Sequence, residues 1–224
     1  MGTLYIIATP IGNLGDITYR AVETLKSLDL LLCEDTRVTR RLLDHYGITV
    51  TTESYREQVH FQKITRVAGL LREGKTIGIV SDAGTPGISD PGFRLVRDIL
   101  QQAPDTKIVP MPGPSAVAAA VSVSGLPSDS FVFMGFPPHK KGRAAFFRET
   151  LGQDRTTVLY ESTHRIAKAL NEITALDPVR PLAVCRELTK MFETIYRGTA
   201  AEIMKQLDET SSKGEFVIVI GPSK

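Results

Sequence analysis

Residues 76–92, TIGIVSDAGTPGISDPG, decide the fold of this chain. Their first part, Ile77-Gly78-Ile79-Val80, carries no polar side chain, which is typical of a central parallel strand covered on both faces. The next twelve residues, 81–92, hold three glycines and two prolines and are longer than a strand-to-helix connection requires. Ligands of open α/β sheets bind outside the carboxyl ends of the strands. The stretch therefore predicts an α/β fold with a ligand-binding loop directly after a central strand.

The length and composition are those of a globular protein. At about 150 residues per domain, the 224 residues predict one large or two small domains. The apolar fraction of 42% and the charged fraction of 23% are ordinary for a chain with a sizeable core. No apolar run reaches the roughly 18 residues that a membrane span needs. A strand-like run from Leu4 to Ala8 stands where a signal peptide would lie, so we expect a cytoplasmic protein.

The charges are nearly balanced, with 27 basic and 25 acidic residues and a net charge of +2. Overall charge therefore does not predict RNA binding, and any RNA site must be a local basic patch. Cys33 and Cys185 each lie in an apolar run, and together with the four scattered histidines they show no metal-ligand spacing. We expect chemistry without a metal ion.

Short apolar runs alternate with helical patterns, which indicates α/β architecture. The predicted strands are 4–9, 30–34, 51–55, 76–81, 107–111, 131–136, 157–161, 182–186, 193–197 and 216–220. The predicted helices are 19–28, 37–46, 57–73, 93–102, 115–123, 143–151, 164–175 and 200–207. The proline-rich segment around Pro112 is predicted to join an N-terminal α/β domain, 1–112, to a C-terminal α/β domain, 113–224. The second sheet is expected to be mixed, because strands 182–186 and 193–197 are too close for a crossover helix.

Two more loops resemble the one after residue 80 in composition. Residues 9–16, TPIGNLGD, lack the third glycine of a dinucleotide fingerprint, and the alternative is a tight turn with Asp16 as helix N-cap. Residues 112–116, PGPSA, place Ser115 as N-cap before a helix of small residues. Asp82 is a candidate partner for a ribose or an amino group, or alternatively a cap for loop amides, as Asp90 is expected to cap the following helix. The second and third loops contain no Lys or Arg, so we expect a flat, adenosine-like ligand without phosphate.

Seven segments carry a resemblance to a known family, and they run in order along nearly the whole chain. They are LYIIATPIGNLGDIT (4–18), CEDTRVTRRLL (33–43), SDAGTPGISDPG (81–92), MPGPSA (111–116), GFPPHKKGR (135–143), VLYESTHRI (158–166) and VCRELTK (184–190). With these segments the chain resembles the tetrapyrrole methylase superfamily, and within it the branch that methylates small-subunit ribosomal RNA. The resemblance implies a two-domain fold with the cofactor cleft between the domains, S-adenosylmethionine as cofactor, and a homodimer.

The resemblance also implies site residues and a reaction. The cofactor contacts that it implies are Pro10, Asp82, Ala83, Gly84, Thr85, Ser115, Ala116, Tyr160, Arg186 and Glu187. The implied reaction is 2′-O-methylation of a cytidine ribose in small-subunit ribosomal RNA. Two alternatives stay open, namely methylation of a tetrapyrrole or another small-molecule or protein acceptor, and a non-enzymatic sensor of an adenosine ligand.

Methyl transfer to a hydroxyl is an in-line displacement on an already activated methyl group, so the protein mainly aligns and desolvates the reactants. A ribose hydroxyl is a weak nucleophile and is helped by a general base. The candidate bases at predicted strand ends are Glu34, Asp35 and Glu187, with Glu161 as a further possibility. The alternative for Glu34 and Asp35 is a capping cluster in which Glu34 pairs with Arg37. His164 is a candidate proton shuttle or a local hydrogen-bonding residue.

Two basic groups are candidate RNA contacts. Arg37, Arg40 and Arg41 share one helix face by their spacing, and the alternative is a solvated face near Asp44. A second set, Lys140, Lys141 and Arg143, lies in a compact turn that is either a phosphate clamp or a plain solvated loop. Two aromatic residues, Phe136 and Tyr55, are candidates for stacking on a splayed base or for the core.

Overall fold

The computed structural model describes residues 2–56, 60–89 and 92–223. The chain divides into two compact units, Met1–Ser115 and Ala116–Lys224. The division falls after Ser115, whereas the sequence placed it after Pro112.

The first unit is a parallel sheet with helices between its strands. The strands are β1 (Thr3–Ile7), β2 (Leu30–Cys33), β3 (Thr52–Ser54), β4 (Thr76–Val80) and β5 (Lys107–Met111). They lie in the order β3-β2-β4-β1-β5, and every pairing is parallel. The helices are α1 (Tyr19–Lys26), α2 (Thr36–His45), α3 (His60–Arg72) and α4 (Gly92–Gln102). The first three residues of the helix predicted over 57–73 lie outside the described residues.

The apolar pattern of the strands divides the core of this unit into two layers. Leu31 and Cys33 of β2 pack with α1 and α2 on one face, while Leu30 and Leu32 pack with α3 and α4 on the other. Along the chain, α2 leads from β2 to the sheet edge at β3, and α4 leads from β4 the opposite way to β5. The carboxyl ends of β2 and β4 therefore flank a topological switch point, the place where open α/β sheets bind ligands.

The second unit is built on a mixed sheet. Its strands are β6 (Phe131–Gly135), β7 (Thr156–Ser162), β8 (Leu182–Arg186), β9 (Thr194–Gly198) and β10 (Glu215–Ile220), in the order β6-β7-β10-β8-β9. The β6–β7 pairing is parallel and the other three are antiparallel, which confirms the expected mixed sheet. Its helices are α5 (Ala116–Ser124), α6 (Arg143–Leu151), α7 (Ile166–Leu176) and α8 (Ala200–Glu209). Helices α6, α7 and α8 cover one apolar face of the sheet.

The N-cap of α1 differs from the prediction. Thr18 caps this helix, and its hydroxyl accepts a hydrogen bond from the Ala21 N–H at 3.2 Å. Asp16 ends a short 3-10 turn, Leu14–Asp16, and is too far upstream to reach the first turn of α1. The cap predicted at Asp90 lies outside the described residues. No helix within the described residues has the length and apolarity needed to cross a membrane.

Candidate functional site

The first and second glycine-rich loops are joined by a short backbone bridge. The Thr9 N–H donates to the Gly84 carbonyl at 2.9 Å, and the Gly84 N–H donates back to the Thr9 carbonyl at 3.0 Å. The Thr9 hydroxyl also donates to the carbonyl of Ser81 at 3.2 Å. Gly84 has φ +79°, a left-handed conformation that favours glycine. The loops after β1 and β4 are thus joined through backbone hydrogen bonds at the carboxyl edge of the sheet.

The third loop joins this arrangement from β5. The Thr85 hydroxyl donates to the Pro114 carbonyl at 3.2 Å, and the Ala8 N–H donates to the Met111 carbonyl at 3.2 Å. A Cβ on Gly113 would lie 3.0 Å from the Cβ of Ala8, so a larger residue would push these two loops apart. Within the first unit, the structure therefore brings together at one sheet edge the loops that carry the predicted cofactor residues Pro10, Asp82, Ala83, Gly84, Thr85 and Ser115.

Asp82 and Asp35 connect the two strand ends at the switch point. The Asp82 carboxylate accepts a hydrogen bond from the Asp35 N–H at 2.9 Å. Asp35 is the N-cap of α2, and its own carboxylate accepts from the Arg37 N–H at 2.9 Å. Its side chain also pairs with the guanidinium groups of Arg37, at 2.6 Å, and Arg56, at 3.7 Å. The capping alternative paired Arg37 with Glu34. In the structure Arg37 pairs with Asp35.

These contacts determine the proton affinity of Asp35. Hydrogen bonds from the side chain and the backbone of Arg37, with a smaller contribution from Arg56, hold the pKa of the Asp35 carboxyl well below its usual range. A carboxylate with a strongly lowered pKa is a weak proton acceptor. The arrangement thus favours the capping interpretation of Asp35 over a role as general base.

Glu34 occupies a different environment from its neighbour. With Tyr55, Ser81 and Pro86 it lines a small cavity between the ends of β2 and β4. Its main-chain carbonyl accepts a hydrogen bond from the Arg56 guanidinium at 2.9 Å, and its side chain is half-buried. Glu34 therefore stays a candidate base at the switch point.

The predicted basic face of α2 lies in solvent. Arg37, Arg40 and Arg41 are exposed, and the Arg40 guanidinium lies 3.1 Å from the carboxylate of Asp44. Sequence reasoning missed Arg56, which shares Asp35 with Arg37. The signal was available, because Arg56 follows the short strand predicted over 51–55, at the same sheet edge.

Tyr55 is a core residue and not a base-stacking platform, since it is 1% exposed. Its hydroxyl lies 2.7 Å from Nδ1 of His60, and Nε2 of His60 lies 2.6 Å from the carboxylate of Asp98. A carboxylate only accepts hydrogen bonds, so Nε2 carries a proton and, in the neutral ring, Nδ1 accepts from the tyrosine hydroxyl. Hydrogen bonds from Arg97 and His60 lower the pKa of Asp98 to about 2. Neither His60 nor Asp98 belongs to a sequence motif, so the hydrogen bonds that link Tyr55, His60 and Asp98 were not predicted from the sequence.

The prediction that Arg143 contacts RNA phosphate is wrong in this structure. Its side chain is 3% exposed and forms ion pairs with Glu172 at 2.8 Å and with Glu161 at 3.4 Å. Glu161 is itself fully buried and also pairs with Arg165 at 2.9 Å, which removes it from the candidate bases. The neighbouring Lys140 and Lys141 are exposed, as a phosphate contact requires.

The remaining predicted residues lie in the second unit. Ala116 begins α5, and the Tyr160 ring lies near the end of β7. The Arg186 guanidinium donates to the Lys213 carbonyl at 2.6 Å, and Glu187 accepts from the Glu215 N–H at 2.9 Å and pairs with Lys190 at 3.0 Å.

Burial raises the pKa of Glu187, but its hydrogen bonds with Glu215 and Lys190 outweigh burial and leave the pKa lowered. Glu187 is therefore a weak base. A cofactor contact by the four residues of this unit stays a prediction, and so does a role for the exposed His164. Among the described residues, no group of three or more His, Cys, Asp or Glu side chains is arranged to hold a metal ion.

Comparison with known proteins gives a consistent result. The model of the tetrapyrrole (corrin/porphyrin) methylase family matches residues 3–204. The chain is 46% identical over 221 residues to ribosomal RNA small subunit methyltransferase I of Vibrio cholerae, covering 97% of this chain and 76% of the relative. It is 43% identical over 220 residues to the protein of the same name from Halalkalibacterium halodurans, covering 98% and 75%. The crystal structure of a diphthine synthase superposes with a TM-score of 0.74 over 98% of this chain and 90% of that one. At 13% identity, that likeness shows the fold alone.

Proposed function

This chain belongs to the tetrapyrrole methylase family, and from that premise we propose that it methylates RNA of the small ribosomal subunit. The family uses S-adenosylmethionine as methyl donor, so the chain is an S-adenosylmethionine-dependent methyltransferase. The observation that carries the choice of substrate is the identity of 43% over 98% of the chain to a relative named for small-subunit ribosomal RNA.

The loops at the carboxyl edge of the first sheet fit an adenosine-type methyl donor. Residues 81–92 and 112–116 contain no Lys or Arg, which suits a ligand without phosphate. Backbone groups around Gly84 and the exposed carboxylate of Asp82 offer hydrogen bonds to a nucleoside, and the Asp35 N–H engages only one oxygen of that carboxylate. We assign the nucleoside to this edge, with Pro10, the loop 82–85 and Ser115 around it. When bound, the donor supplies a methyl group activated by a cationic sulfonium.

The finer proposal is transfer to a cytidine 2′-hydroxyl, with Glu34 receiving the hydroxyl proton. Of the four candidate carboxylates, Glu161 is fully buried in ion pairs with two arginines. Asp35 and Glu187 have lowered pKa values, Asp35 because of Arg37 and Glu187 because of the Glu215 N–H and Lys190. The assignment of Glu34 is supported by its position, because it lines the cavity at the switch point. The exposed arginines of α2 follow it directly in the chain and are positioned to bind phosphates of the same RNA strand.

The test is transfer of labelled methyl from S-adenosylmethionine to small ribosomal subunits that lack the modification, followed by mapping of the product. We expect label on one cytidine ribose. Label on a base would reject the 2′-hydroxyl as acceptor. If cofactor binding by calorimetry is intact and neither subunits nor free RNA are labelled, RNA is not the acceptor, and small-molecule acceptors are tested next.

The same proposal includes the location and the assembly of the enzyme. A substrate in the small ribosomal subunit places the enzyme in the cytoplasm. The homodimer that the sequence resemblance implies is checked by light scattering, where a mass near twice 24.5 kDa supports it and a monomer mass rejects it.

A further inference from the structure

Residues 136–142, here called the basic turn, project from the second unit between β6 and α6. The segment reads FPPHKKG. The Phe136 side chain is 52% exposed, and His139, Lys140 and Lys141 are exposed as well. An exposed aromatic ring can stack on a nucleobase, and neighbouring lysines can bind phosphates. The basic turn therefore combines a flat apolar ring with two lysines.

The base of the basic turn is fixed by two arginines, the buried Arg143 and the partly buried Arg165. The Arg165 guanidinium donates to the Pro137 carbonyl at 3.0 Å, and the Arg143 guanidinium donates to the Pro138 carbonyl at 3.2 Å. Both guanidinium groups are paired with the one fully buried carboxylate of Glu161. The carbonyls of Pro137 and Pro138 thus accept hydrogen bonds from two arginines that share Glu161. These bonds order the turn before any partner binds.

The ring of Phe136 is directed by an irregularity in β6. Gly135 has φ +68°, and the register with β7 shifts between Phe133 and Gly135. Such irregularities redirect the side chains that follow. The Phe136 ring centroid lies 5.3 Å from that of Tyr160, so one part of the ring is supported by another aromatic side chain while about half of Phe136 is open to solvent.

We propose that the basic turn is an RNA-binding element in which an unpaired base stacks on Phe136 and the flanking phosphates bind Lys140 and Lys141. Aromatic rings bind bases of single strands by stacking, and lysines bind their phosphates. The charge of the turn favours a polyanion over an apolar protein partner. The inference rests on the proposed function for the identity of the RNA, but its binding test does not require methyl transfer.

The binding test uses a short fluorescent single-stranded RNA from the small subunit and measures anisotropy at several salt concentrations. Phe136→Ala is expected to weaken binding by about tenfold, and Phe136→Tyr is expected to retain it, because stacking needs only an aromatic face. Phe131→Ala is the matched control, since Phe131 lies at the other end of β6 and is 41% exposed. This control is expected to bind like the wild type.

The phosphate contacts are tested by Lys140→Gln/Lys141→Gln. Each lost contact to a single strand lowers the slope of log affinity against log salt by ~0.7, so the double variant is expected to lose ~1.4. The control, Lys168→Gln/Lys205→Gln, removes two exposed lysines of α7 and α8 from the same unit and is expected to leave the slope unchanged.

The outcomes separate this inference from the proposed function. If Phe136→Ala binds RNA as tightly as Phe131→Ala does, the basic turn is not an RNA-binding element, even when wild-type protein methylates ribosomal subunits. If the wild type transfers no methyl but its RNA affinity depends on Phe136, the basic turn stands and the proposed reaction fails.

Discussion

Glu34 and Asp35 are adjacent in the sequence but lie in different surroundings. Asp35 is held by two guanidinium groups and caps a helix, whereas Glu34, one residue earlier, lines a cavity. Their order in the sequence does not distinguish them. The distinction arises because Asp35 directly precedes Thr36, where α2 begins, and N-cap geometry turns its carboxylate toward the helix amides.

Substitution of Glu34 is predicted to reduce catalysis most strongly. Glu34→Gln keeps the size of the side chain but removes the proton acceptor, so kcat is expected to fall by roughly 10²- to 10⁴-fold. The S-adenosylmethionine Kd, measured by calorimetry, is expected to change little. Asp35→Asn is the comparison, because asparagine also caps helices. A kcat loss confined to the Asp35 variant would transfer the role of base to Asp35.

The buried Asp98 predicts a pH dependence of stability. Its pKa lies at about 2 in the folded protein against 3.8 as the ordinary value. A lowered pKa stabilises the folded state above the ordinary value, and this stabilisation is lost as the pH falls from near 3.8 through about 2. In urea unfolding, Asp98→Asn is therefore expected to be less stable than the wild type at pH 7, and the difference is expected to shrink toward the acid end. A difference that stays constant with pH would contradict this linkage.

The conformation of the loop after β4 depends on the left-handed backbone of Gly84. Gly84→Ala is expected to destabilise the fold by about 1–2 kcal/mol, because the left-handed region is unfavourable for alanine. The added Cβ would lie at an ordinary 3.5 Å from the Ile11 side chain, so the cost is conformational and not steric. Cofactor affinity is expected to fall as well, since the Thr9–Gly84 bridge positions the loop.

The control for this variant is Gly69→Ala in the C-terminal part of α3. A Cβ there meets no atom within 4 Å, and alanine favours helix more than glycine does by about 0.5–1 kcal/mol. Thermal or urea unfolding of the two variants is thus expected to shift in opposite directions. Equal shifts would show that the conformation of residue 84 is not restrictive.

The ion pairs of Glu161 beneath the basic turn are expected to stabilise the second unit. Glu161→Gln leaves Arg143 and Arg165 without the carboxylate they share, and breaking a buried pair costs about 3–5 kcal/mol. Asp154→Asn breaks an exposed pair with Arg155 and is expected to change stability by less than about 1 kcal/mol. Urea unfolding of both variants checks the contrast, and similar losses would mean that the Glu161 network contributes no more than a surface pair.

In the molecule as a whole, hydrophobic periodicity and composition predicted the α/β class. They also predicted the bounds of the described helices and strands to within a few residues. Apolar runs such as 77–80 predict buried strands, because both faces of a central strand are covered. Individual side-chain contacts could not be predicted from the sequence, because they join residues that are distant along the chain. The position of Arg143 in a basic run predicted exposure, yet two carboxylates distant in sequence bury it. Likewise His60 and Asp98 meet only because α3 and α4 pack on the same face.

A nearly neutral protein that binds RNA needs a local cluster of cations. Since the net charge is only +2, affinity must depend on where the cations lie. Arg40→Gln/Arg41→Gln is expected to reduce both RNA affinity and its salt dependence, with the slope falling by ~1.4, while the S-adenosylmethionine Kd is unchanged. These two arginines are preferred over Arg37, whose loss would also disturb Asp35.

The matched variant removes two exposed arginines elsewhere, Arg72→Gln/Arg148→Gln, and lowers the net charge by the same amount. If binding depends on the local face of α2, only the first double variant loses affinity and methyl transfer. If both lose equally, net charge alone attracts the RNA and α2 carries no interface. A combined loss of RNA and cofactor affinity in the first variant would mean instead that this face of α2 maintains the fold of the switch point.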